Sequence, residues 1–168
     1  MDRPKYFNQF HRERQNKIRA KFIAPIKDIV GARIVETTDY TKGVPEKINT
    51  VIYFGEEIFG VADVRWRGEK YLKMEFSKKN GYLPLFRFKT LHPEIPCFVI
   101  WGFPAGGEEV GEVWAWLLDP LKKLEENRTG GRVDRDDELD VEAEVRVPFG
   151  WLKTPEQHWT EAGLITPV

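Results

Sequence analysis

From Ala62 to Arg67 apolar and charged residues alternate without a break: Ala62, Val64 and Trp66 on one parity, Asp63, Arg65 and Arg67 on the other. A period of two is the pattern of a strand with one buried face, and it excludes a helix over this stretch. The alternation resumes beyond Gly68-Glu69-Lys70, with Leu72, Met74 and Phe76 apolar and Lys73 and Glu75 charged. A three-residue loop containing glycine is a common hairpin connection. With residues 68–70 as that loop, Arg67 faces Tyr71, Arg65 faces Lys73, and Asp63 faces Glu75. One side of the expected hairpin is then wholly apolar and the other wholly charged. A two-residue loop mixes the faces, and register follows the buried pattern.

Such a hairpin sets two carboxylates side by side, and opposed like charges need a cation between them. Arg65 and Lys73 can supply it, as a salt-bridge ladder on an exposed sheet face. A magnesium ion, which takes carboxylate oxygens and water, is the alternative.

Around the hairpin the chain reads as a mixture of helix and strand. Residues 5–22 carry a rough apolar stripe (Tyr6, Phe7, Phe10, Ile18, Phe22) and a basic remainder that includes Arg12, Arg14, Lys17 and Arg19. That is either a solvated helix face or a surface for phosphates. Strands are expected at 31–35, 48–54, 58–67 and 71–76, with Gly55-Glu56-Glu57 as an acidic turn. Residues 84–96 are ambiguous, because Pro93 and Pro96 oppose a long helix. The continuous apolar run 97–103 suits a buried strand. A loop at 104–111, a strand at 112–118 and a short helix at 120–127 follow. Residues 128–142 hold Asp134, Asp136, Asp137, Glu138 and Asp140 and almost nothing apolar, which predicts an exposed acidic loop. Residues 143–168 are expected to dock on the body of the domain.

Composition narrows the function classes. The 168 residues suit one domain, and 41% hydrophobic with 13% aromatic content is enough to build a core. A net charge of −1 provides no general field for nucleic acid or membrane, so any such contact must be local. The single cysteine, Cys97, excludes an intrachain disulfide and a cysteine zinc cluster. His11, His92 and His158 have no nucleophile or acid at catalytic spacing. The glycine pairs at 106–107 and 130–131 lack the lysine of a phosphate-binding loop. The acidic segment lacks the glycine and glutamate spacing of a calcium loop. Trp66, Trp101, Trp114 and Trp116 fall on strands and read as core. There is no signal-peptide pattern at Met1-Asp2-Arg3-Pro4-Lys5 and no run of roughly 18 apolar residues, which leads to the expectation of a cytoplasmic protein, of a host or an infected cell, without a membrane partner.

The order helix, strand, acidic turn, strand, charged hairpin, apolar strands and helix resembles the PD-(D/E)XK nuclease superfamily in its small phage and archaeal form. The resemblance covers roughly residues 1–125. It implies a restriction-endonuclease-like fold: an α/β (α+β) domain with a central mixed β-sheet, an N-terminal helix and a charged β-hairpin. It also implies a magnesium or manganese ion, held by an Asp near the start of one strand and a (D/E)-x-K tripeptide on the next, with the Lys steadying the attacking water. Asp63-Val64-Arg65 matches the tripeptide, with Arg in place of Lys. The earlier acid is then Asp39 or Glu46, and Asn49 stands where related phage sequences carry an Asp. A second mapping makes Asp63 the earlier acid, with Lys73 and Glu75 in reversed order on the partner strand. The implied metal ligands are Asp39, Asp63 and Glu75, with Arg65 or Lys73 at the nucleophile. Three functions stay open: a metal-dependent nuclease, a module that binds nucleic acid or protein without catalysis, and a structural or assembly protein.

Overall fold

The computed structural model describes residues 5–29, 31–37, 43–44, 48–67, 73–75, 81–105, 109–118, 128–130 and 143–166. A five-stranded mixed sheet lies at the centre. Its strands are β1 (Ala32–Glu36), β2 (Thr50–Phe54), β3 (Glu57–Trp66), β5 (Cys97–Pro104) and β6 (Val110–Leu117), side by side in that order. β3 and β5 are parallel, and every other neighbouring pair is antiparallel. Parallel neighbours need a crossover. Here the crossover contains β4 (Lys73–Glu75) and helix α2 (Leu83–Leu91). Pro84 falls in the first turn of α2, where a missing N–H costs nothing. The ambiguous segment is therefore helix up to Leu91, ending before Pro93.

The sheet is covered on both faces. Helix α1 (Lys5–Ile23) lays Ile18 and Phe22 over Ile52, Val64, Phe98 and Ile100. Across the sheet, Tyr82, Leu85, Phe86 and Phe88 pack on Val51, Val61, Val99 and Trp101. With both faces buried, β5 holds apolar side chains on each parity and is buried from Cys97 to Phe103. Close approach of α1 depends on Gly102, where a Cβ would lie 2.5 Å from Ile18. Burial pushes the Cys97 thiol up to about 12, so this cysteine is core and inert.

The chain after β6 returns to the α1 face. Lys153 bridges Ala115 at the outer edge of β6. Helix α3 (Pro155–Glu161) opens with a capping box between Thr154 and Gln157. Trp159 is fully buried and its Nε1 donates to the Phe22 carbonyl at 2.7 Å. Burying an aromatic of this size contributes about 3 kcal/mol. Among the described residues no helix is long and apolar enough to cross a membrane.

Three expectations change. The hairpin register of Asp63 with Glu75 and Arg65 with Lys73 is not formed. Both edges of β3 are occupied, by β2 and β5, while β4 pairs with β8 (Ala143–Arg146) in a second sheet. The acidic segment opens with a strand, β7 (Arg128–Gly130), which lines the other edge of β8. Arg19 is not on a phosphate-facing surface; it is 2% exposed, on the inner side of α1 against the start of β2. The expected helix at 120–127 and the acidic residues 134–140 lie outside the described residues.

Candidate functional site

The start of β2 and the carboxyl end of β3 meet beneath α1. Asn49, just before β2, behaves as a strand partner for Val64. Its Oδ1 accepts from the Val64 N–H at 2.9 Å and its Nδ2 donates to the Val64 carbonyl at 2.9 Å. An amide is required here, because a carboxylate could only accept.

Above Asn49 lies Arg19. Its Nε donates to the Thr50 hydroxyl at 2.9 Å, and its Nη2 donates to the Asn49 carbonyl at 2.9 Å. Further bonds run back along the helix, to Asn16 Oδ1 at 2.8 Å and Gln15 Oε1 at 3.4 Å. Gln15 also reaches the Val64 carbonyl at 3.4 Å. Burial pulls the Arg19 pKa below its ordinary value, against the opposing pull of Glu36. The network is a polar clamp that locks α1 onto β2 and β3, each partner satisfying another.

The other face of β3 carries Asp63 and Arg65. Arg65 grips the Asp63 carboxylate with two bonds, Nε to Oδ1 at 2.7 Å and Nη2 to Oδ2 at 3.1 Å. The Asp63 side chain is 6% exposed and that of Arg65 29%. The guanidinium lies 3.8 Å above the Tyr82 ring and also donates to the Gly81 carbonyl. One turn of the pleat further, Arg67 lies over Trp101 at 4.7 Å and donates to the Tyr82 hydroxyl at 2.8 Å. Trp101 Nε1 donates to the same hydroxyl at 2.7 Å. Burial raises the Tyr82 pKa, so the phenol stays protonated. Two guanidinium groups are thus held in fixed orientation on buried rings.

On the α1 side of the same strand end, the Arg14 guanidinium lies 4.6 Å from the Trp66 ring and 4.1 Å from the Phe10 ring. Lys17 is exposed one helical turn along. Arg12 is turned aside, its Nε 3.2 Å from Glu36.

No family model, curated protein or solved structure matches the chain. The geometry of the site therefore carries the functional reading.

The first mapping of the nuclease motif pairs Asp63-Val64-Arg65 with Asp39 or Glu46; of the residues named with it, Asn49 touches the backbone of Val64. The second is not assembled on the sheet, since Lys73 and Glu75 pair with Arg146 and Glu144 of β8. Asp39 and Glu46 lie outside the described residues. Among the described residues no group of three or more His, Cys, Asp or Glu could hold a metal ion. Of the described residues here, Asp63 has both oxygens bonded to Arg65, and Gln15, Asn49 and Arg19 are amides and a cation. Sequence reasoning missed Gln15 and Tyr82. Gln15 shares a helical face with Ile18, Arg19 and Phe22, at the i, i+3, i+4 and i+7 spacing, and that was the available signal.

Proposed function

We propose that this domain binds the phosphodiester backbone of nucleic acid at the carboxyl end of β3 and does not hydrolyse it. The observation that carries this reading is the two-bond grip of Arg65 on Asp63, on the tripeptide that resembles the nuclease motif. Arg does not deprotonate, so it cannot handle protons as a catalytic Lys does. A carboxylate held this way is also a poor metal ligand. What the strand end offers instead is cationic: Arg67 on one face, beside the neutralised Asp63–Arg65 pair, and Arg14 and Lys17 on the other. Arg matches phosphate geometry through paired N–H donors, and rings beneath it reduce the entropy cost of binding. The carboxyl ends of parallel strands, where a crossover leaves the sheet, are a common place for ligands in α/β folds.

A hydrolytic reading has one specific observation in its favour, the contact of Asn49 with the Asp63-Val64-Arg65 backbone. It resembles a PD-(D/E)XK site with the early acid changed to an amide. A manganese-dependent cleavage reaction abolished by Asp63→Ala would support hydrolysis over binding.

The binding reading is tested by reversing Arg14 and Lys17 to Glu. Affinity for a labelled oligonucleotide should fall, and the slope of log affinity against log salt should flatten by about 0.7–0.9 for each phosphate no longer neutralised. Unchanged affinity and slope would show that nucleic acid does not bind at this surface.

A further inference from the structure

Beside the strand end, a cleft of about 220 Å³ opens between α1 and β6, lined by Phe10, Glu13, Arg14, Lys17, Glu109 and Val110. Its charges balance: two cations face two carboxylates. A lining with no net charge suits a neutral group inside the cleft. Its aromatic floor is the Phe10 ring, 37% exposed. The Arg14 guanidinium lies 4.1 Å from that ring and 4.6 Å from the ring of Trp66. Among the described residues most large apolar side chains are buried; Phe10, Leu91, Leu117 and Phe149 are exposed, and Phe10 lies against the Arg14 guanidinium.

We infer that this cleft receives an unpaired nucleobase stacked on Phe10, making the ligand of the domain single-stranded nucleic acid. This rests on the phosphate-binding reading above. A base is neutral, planar and edged with donors and acceptors, which suits an aromatic floor flanked by both signs of charge. Within a duplex both faces of each base are already stacked on neighbours, and only a single strand can present one. The cleft and the arginines share Arg14 through its contact with Trp66, next in sequence to Arg65 and Arg67. One strand could thus place its base over Phe10 while its phosphates run along the end of β3.

The test is fluorescence anisotropy with a labelled single strand, the duplex of the same sequence, and the same single strand carrying abasic sites. The single strand should bind on the order of tenfold more tightly than either of the others. Phe10→Ala should weaken single-strand binding by about 5- to 150-fold and leave the duplex unaffected, and Phe10→Trp should restore affinity. Equal binding of all three ligands, or no effect of Phe10→Ala, would overturn the inference while leaving the phosphate reading standing. No binding of any of them would overturn both.

Discussion

Arg65 and Asp63, two residues apart on β3, point to the same side of the sheet and close a two-bond ion pair at 2.7 and 3.1 Å. An i, i+2 pair on a strand shares a face by geometry, and the Tyr82 ring beneath Arg65 holds the guanidinium over its neighbour.

Removing one member should therefore be costly. Arg65→Ala leaves a nearly enclosed carboxylate without its main cation. Allowing for the partial exposure of Arg65, a loss of about 2 kcal/mol is expected in urea unfolding. The double variant Asp63→Asn with Arg65→Gln should recover much of it. A single variant as stable as the parent would show that the pair is not desolvated.

Asn49 makes a sharper demand, because it both donates to and accepts from the backbone of one residue, Val64. Asn49→Asp replaces a donor with a carboxylate oxygen facing the Val64 carbonyl. A destabilisation of about 1–3 kcal/mol is predicted, offset in part by attraction to Arg19. An unchanged denaturation midpoint would mean that the position accommodates an acid, and would bring the nuclease reading forward.

His158 supplies a pH dependence. Its Nε2 is 2.7 Å from the Ala115 carbonyl, inside the contact between α3 and β6. Burial lowers its pKa below the ordinary 6.5, with nearby Lys153 acting in the same direction and the Ala115 bond and Glu161 opposing. The unfolded chain thus takes up the proton first. The stability that comes from keeping this ring neutral is complete above about pH 6.5 and is lost as pH falls below it. Melting temperature should drop between about pH 7.5 and 5.5, and His158→Gln should show a smaller drop over the same range. Identical pH profiles would exclude His158 as the source.

Much of this architecture can be read from residue order, and the failures have physical causes. Alternation at Ala62–Arg67 places the faces of β3 correctly, and the run Cys97–Phe103 marks a strand buried on both sides. Alternation says which side chains share a face, but not which strand lies alongside. Leu72–Phe76 has the same pattern as β3, yet β4 joins β8, far along the chain at Ala143–Arg146. The charged parity of β3 looks solvent-facing because Asp63 and Arg65 are ionic. They are covered because Tyr82 brings an aromatic cap from the start of α2, a contact that no local pattern signals. Arg19 reads as one basic residue among several, although its helical position beside Ile18 and Phe22 turns it inward. In the tail, the apolar run 145–151 does dock, with Val147 buried and Trp151 against Trp116, but nothing local signals Trp159, whose indole finds the Phe22 carbonyl near the end of α1.

The most direct test is to incubate labelled single- and double-stranded DNA and RNA with the purified protein and manganese, reading binding and cleavage from the same samples and repeating both with Asp63→Ala. Salt-sensitive binding without cleavage, weakened by Arg14→Glu with Lys17→Glu, is the predicted result. Cleavage that requires manganese and disappears in Asp63→Ala would contradict it, and would make the Asp63–Arg65 pair part of a catalytic site.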